Sequence, residues 1–162
     1  VYLAFAVVWL HRSMVLTMGD RYWKVTLDAP LDVERGGLRM PRRMAEHYRR
    51  LVEEVERRSA PGAYVYATPD CPEVYFLAGR RNPTRTLFEF FDDDYLADPA
   101  ARAARILATL EARRVDVVVL NHAPQFSNRV PPPLLRAIES RYPHRADVRP
   151  YTVHWRPPSP EQ

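Results

Sequence analysis

The sequence holds one cysteine, Cys71, one lysine, Lys24, and five glycines against sixteen prolines. A lone cysteine excludes an internal disulfide framework. It leaves the compartment open, because secreted bacterial domains often have no disulfide. So few glycines argue against a glycine-rich phosphate cradle, and so many prolines stiffen the loops. A Walker loop, a G-x-G-x-x-G fingerprint, a G-x-S-x-G elbow and an H-E-x-x-H pair are all missing. There is no internal repeat and no sign of a second domain.

What is there is ordinary globular material. The 162 residues are 46% hydrophobic and 27% charged, enough for one domain with a real core and no metal or disulfide staple. The net charge is +4, and of 24 basic residues all but Lys24 are arginine. Guanidinium pairs bidentately with phosphate, which makes anion contact one reading. A GC-rich coding sequence is the other. The arginines are spread along the chain among acids, so a nucleic-acid footprint is weak and no nucleic-acid partner is expected.

Val1–Leu10 is wholly apolar. It is shorter than the roughly 20 residues that span a bilayer, has no basic flank before it, and His11-Arg12-Ser13 is no cleavage site. It reads as a core segment or as the end of a truncated transmembrane helix with Trp9 at the interface. The second reading divides the chain into a membrane stub and linker at 1–17, a folded domain at 18–156 and a frayed tail at 157–162.

Within the domain, Tyr22–Asp28 alternates as a half-buried strand that Pro30 ends, and residues 32–40 form a loop around Gly36-Gly37. Pro41 opens a helix to about Arg58, with Met44, Tyr48, Leu51, Val52 and Val55 on one side. A short strand at 63–67 precedes a turn at Thr68-Pro-Asp-Cys-Pro72 and a short helix over 73–78 capped by Gly79. Residues 80–85 are a polar loop. Leu87–Phe91 has no clear assignment, and Asp92-Asp93-Asp94 follows.

Asp98-Pro99 starts a helix with Ala103, Ile106, Leu107 and Leu110 buried. Val115–Leu120 is nearly continuous β-branched sequence, as in a strand covered on both faces. Pro131–Pro133 opens another helix through Ile138, and Tyr151–Trp155 alternates as a final strand. This order predicts a single-domain, open α/β sheet of about four strands, its central strands parallel and helices on its faces. Strands 63–67 and 115–120 are expected to be adjacent and central, with the alternating first and last strands nearer the edges.

Ligands of open α/β sheets gather beyond the carboxyl ends of the strands. Two such loops carry Thr68, Asp70 and Cys71, and Asn121, His122, Gln125, Ser127, Asn128 and Arg129. The first leads to Arg80, Arg81, Asn82, Thr84 and Arg85. Each has a plainer role available: Asp70 as a turn former, His122 as a hydrogen-bonded structural residue, Cys71 as an inert thiol. The aspartate run lacks EF-hand spacing and reads as a solvated loop, so no metal ligand set is expected. No cofactor motif is present.

The stretch Tyr64-Val-Tyr-Ala-Thr-Pro-Asp-Cys-Pro-Glu-Val-Tyr-Phe-Leu-Ala-Gly-Arg-Arg-Asn-Pro-Thr-Arg85 resembles the C-terminal extracytoplasmic domain of bacterial membrane glycosyltransferases. The type is that of dolichyl-phosphate-mannose–protein mannosyltransferases, in the C superfamily. Such domains carry a "P-x-x-P-E-x-Y-F-L" helix and a "G-R-x-N-P-T-R" loop. Looser similarity runs through Gly37–Pro41, Val117–Asn121 and Phe126-Ser127. The resemblance implies a full-length enzyme at the cell inner membrane, with this domain on the periplasmic face. It would draw on a polyprenyl-phosphate-linked sugar, with the lipid donor and the enzyme's own transmembrane region as partners. The family's catalytic acid lies in the membrane part, so no catalytic residue is carried over and the fragment alone is expected to be inactive. The two strand-end loops and the arginine-rich 80–85 loop give the expected substrate-binding set: Arg80, Arg81, Asn82, Thr84, Arg85, Asp70, Asn121 and His122. Two other readings stay open: a free-standing α/β domain that binds a nucleotide or another anion, and an interaction module without a ligand.

Overall fold

The structure is a computed structural model that describes residues 26–88 and 98–157. The expectations for Val1–Leu10, for the first residues of the 22–28 strand, for Asp92–Asp94 and for the tail after 157 lie outside the described residues.

Among the described residues ten elements follow one another: β1 (Ala29–Pro30), β2 (Arg39–Met40), α1 (Arg42–Glu56), β3 (Val65–Thr68), α2 (Pro72–Leu77), α3 (Pro99–Ala112), β4 (Val117–Asn121), α4 (Pro132–Arg141), β5 (His144–Val148) and β6 (Tyr151–Trp155). The main sheet has the order β3-β4-β6-β5. β3 and β4 are parallel, with Val65 opposite Val117 and Thr68 opposite Leu120. β6 runs antiparallel to both β4 and β5. The fold is thus the expected α/β open sheet of four strands, mixed rather than mainly parallel.

Two placements differ from expectation. β6 is interior, between β4 and β5, and β3 is the outer strand of the ladder, flanked only by an isolated bridge from Tyr64 to Arg81. The fourth strand is β5, not the 22–28 segment. Residues 26–28 are not in a strand, and Pro30 pairs with Arg39 in the separate β1–β2 ladder. β5 hid because its His144-Arg145-Ala146-Asp147 run is mostly exposed and charged, as edge strands are when they must resist pairing with other chains.

Strand alternation splits the core in two. Val65, Ala67, Val117, Val119 and Val153 face α1 and α2, where Leu51, Val52, Val55 and Val74 meet them. Tyr66, Val118 and Leu120 face α3 and α4, against Ile106, Leu110, Leu134 and Ile138. All five residues of β4 are buried, which is why its sequence carries no alternation. Among the described residues no helix is long and apolar enough to cross a membrane.

Local signals fix the helix ends. Asp98 caps α3, its Oδ2 accepting from the Ala101 amide at 2.9 Å, a bond of about 1 kcal/mol. Gly79, at φ +60°, ends α2 in a Schellman turn, in which the Arg80 amide donates to the Tyr75 carbonyl at 2.9 Å. Gly36 serves close approach instead: a Cβ there would run into the Leu31 carbonyl oxygen.

Candidate functional site

A cleft of about 600 Å³ opens where β3 and β4 end. The loop after β3 supplies Asp70 and Glu73, and the end of β4 supplies Asn121. The β5–β6 turn adds Arg149 and Tyr151. α1 lies across the top and lends Arg43 and His47, one turn apart on one side of the helix, and Tyr48 beside them.

Asp70 joins the two strand-end loops. Its backbone is left-handed, at φ 53°, which aspartate tolerates better than most residues. Its Oδ2 accepts from the Phe126 amide at 2.7 Å and the Ser127 amide at 2.8 Å, and its Oδ1 accepts from the Ser127 hydroxyl at 2.5 Å. Burial pushes its carboxyl up, but the hydrogen bonds from Ser127, Phe126 and Gln125 prevail and hold it below the ordinary value.

Glu73 is the opposite case. Burial pushes its carboxyl up and the nearby Asp70 charge adds to that, against the Tyr151 hydroxyl, which donates to Oε1 at 3.0 Å. Burial, then the Glu73 charge, drives the Tyr151 hydroxyl far above the phenol range and raises Tyr48 too. Both phenols therefore stay protonated. The imidazole of His47 lies 5.6 Å from the Tyr151 ring, and its Nε2 is buried without a partner. Burial, then Arg50 and Arg43, pulls its pKa down and keeps it neutral.

The rim is cationic. Neither Arg43 nor Arg149 has an ion-pair or hydrogen-bond partner among the described residues, whereas Arg42, Arg49, Arg57, Arg58 and Arg156 are all paired with acids. The site thus offers two uncompensated guanidinium groups over a floor of two phenol hydroxyls and the Glu73 carboxyl, whose pKa burial raises. Anions bearing hydroxyl groups are its chemical complement. Among the described residues no group of three or more His, Cys, Asp or Glu could hold a metal ion.

The sequence-predicted residues fall into two groups. Asp70 and Asn121 line the cleft, and His122 lines its continuation beside Arg43 and Arg149. Asn121 Oδ1 is engaged by the Ala123 amide at 2.9 Å, and His122 Nε2 lies 2.8 Å from the Thr152 hydroxyl. The 80–85 residues do not line it. Arg80 is buried: its Nε donates to Ser59 Oγ at 2.8 Å, Nη2 to the Ser59 carbonyl at 2.7 Å and Nη1 to the Ala78 carbonyl at 2.5 Å. Arg81 donates to the Gly62 carbonyl at 2.6 Å and lies over the Tyr64 ring at 4.2 Å. Asn82 and Thr84 close the loop on itself through Thr86 and each other, and Arg85 is exposed.

Arg43, His47, Tyr48, Glu73, Arg149 and Tyr151 were not apparent as site residues in the sequence. The spacing of Arg43 and His47, four apart on a helix, was the one local signal; Glu73 and Tyr151 meet only through the tertiary fold. No family model, curated protein or solved structure matches this chain.

Proposed function

We propose that this chain is the extracytoplasmic accessory domain of a membrane glycosyltransferase that uses a polyprenyl-phosphate-linked sugar. In this reading the domain holds the phosphorylated sugar in the cleft beyond β3 and β4 and does not itself perform the transfer. The resemblance of residues 64–85 motivates the family, and one observation carries the binding role: the unpaired Arg43 and Arg149 line one cleft with the phenols of Tyr48 and Tyr151 and the Glu73 carboxyl. A phosphate meets the guanidinium groups while sugar hydroxyls meet the floor. A charge-assisted contact of this kind contributes about 1.5–3 kcal/mol. This reading places the chemistry elsewhere, since the Asp70 carboxylate of the cleft is engaged by the Phe126 and Ser127 amides and the Ser127 hydroxyl.

Calorimetric titration of this chain with mannose 1-phosphate tests the reading. Saturable binding is expected, weakened at least tenfold in the R43Q/R149Q double variant, with no sugar transfer from polyprenyl-phosphate mannose by the chain alone. Equal affinity in the double variant removes the cleft from the reading, and turnover by the chain removes its accessory role. Tighter binding of uridine monophosphate than of the sugar phosphate would instead favour the free-standing nucleotide-binding domain.

A further inference from the structure

Behind the Arg149-Pro150 turn, two histidines share one threonine hydroxyl. Thr152 Oγ1 lies 2.8 Å from Nε2 of the exposed His122 and 3.1 Å from Nε2 of the buried His154. The other nitrogen of His154, Nδ1, faces the Tyr142 carbonyl oxygen at 3.4 Å. A carbonyl only accepts, so Nδ1 of His154 carries the proton. Burial lowers the basicity of this imidazole, which keeps it neutral and leaves its Nε2 as an acceptor. The Thr152 hydroxyl has a single proton, and it goes to that acceptor. Thr152 Oγ1 can then only accept from the other side, so Nε2 of His122 must be the protonated nitrogen. The direction of every bond in the chain follows from one backbone carbonyl. Nδ1 of His122 is left as a lone pair with no partner among the described residues, and His122 lines one space with Arg43, Asp147 and Arg149.

We propose that Thr152 and His154 are positioning residues that lock His122 in its Nε2–H tautomer, so that Nδ1 accepts a hydrogen bond from a hydroxyl of the phosphorylated ligand held by Arg43 and Arg149. The ligand half rests on the reading of the cleft given above; the tautomer half does not. An unlocked His122 would present an N–H to the same hydroxyl for part of the time.

Long-range proton–nitrogen correlation spectra of the 15N-histidine-labelled chain at pH 8, where an ordinary imidazole is neutral, read the tautomer directly. His122 is expected wholly in the Nε2–H form without ligand. T152V, which keeps the branched shape, should give a mixture of tautomers and weaken mannose 1-phosphate binding about three- to tenfold, and T152S should restore both. A mixed or Nδ1–H His122 in the unsubstituted chain overturns the relay. A T152V protein with mixed tautomers and unchanged affinity overturns the role of Nδ1 in binding. Failure of the unsubstituted chain to bind the sugar phosphate overturns the reading of the cleft and the ligand half with it, while the tautomer measurement still decides the lock.

Discussion

The 80–85 loop and the rim of the cleft are both supplied with arginine, but they differ in what surrounds it. Arg80 and Arg81 sit among the carbonyl oxygens of Ser59, Gly62 and Ala78, which the α1–β3 connection and the end of α2 leave without backbone partners. The guanidinium groups turn inward and close those ends. Arg43 and Arg149 sit on a helix and a hairpin turn whose own backbone makes no such demand, and they remain open. Density of arginine in a sequence therefore says little about anion binding; the supply of unsatisfied carbonyls nearby decides it.

This contrast can be broken at Arg80 first. Arg80→Gln removes three bonds from a buried cation and strands two carbonyls, so it should destabilise the domain by about 2–4 kcal/mol in urea unfolding. Mannose 1-phosphate affinity should stay within twofold. The R43Q/R149Q protein should show the reverse, with stability within about 0.5 kcal/mol of the parent, as surface substitutions usually are. If R80Q abolishes binding in a protein that is still folded, the division between the two regions fails.

The two carboxyls of the cleft sharpen the comparison through pH. Glu73 holds its proton more tightly folded than unfolded, chiefly through burial. Its contribution to stability is therefore whole below the ordinary carboxylate value and is lost as pH rises through the raised one. Asp70 has its value depressed by its hydrogen bonds, so its contribution is present above the ordinary value and is lost as pH falls through the depressed one. E73Q should raise the urea midpoint at pH 8 and leave it unchanged at pH 4. D70N should lower it at pH 7, with the deficit shrinking in acid. Parallel pH profiles for the two variants would refute the assignment of opposite shifts.

Within the 80–85 loop the smaller effect belongs to Arg81. Its side chain is exposed, and its bond to the Gly62 carbonyl competes with water, so Arg81→Gln should cost about 0.5–1 kcal/mol in the same urea assay. A loss as large as that of R80Q would show that the stacking over Tyr64 matters more than burial.

Much of the fold was legible because its signals are local. The Asp98-Pro99 cap, the Gly79 stop and the unbroken apolar run of β4 each carry their own physical reason and each is where the sequence placed it. β5 was not legible, since an edge strand is chosen for what it refuses to pair with, and His144-Arg145-Ala146-Asp147 reads as polar surface. The interior place of β6 was missed for a related reason: its half-buried Thr152 imitates the polar face of an edge, although that face is turned toward two histidines. At the site, position was legible and membership was not. The carboxyl ends of two predicted strands located the cleft through Asp70, Asn121 and His122. The residues that give it its charge and hydroxyls come from α1 and the hairpin turn, which only tertiary packing brings there.

The interior position of β6 also sets an order of events during synthesis. β3 and β4 can meet as soon as β4 has been made, but together they are an isolated parallel pair, the weaker kind of pairing, with one edge of β4 still unpaired. Every remaining ladder bond of β4 is to β6, which is made after β4, α4 and β5. β5 and β6 are joined by a tight turn and can form a hairpin on their own within microseconds. The nascent chain must therefore hold an exposed β4, the most apolar of the described strands, until that hairpin arrives and seats itself along it. Until then the segment most exposed to wrong partners is Val117–Asn121, and a ribosome stalled before Tyr151 would present it as a sticky edge to any other chain nearby.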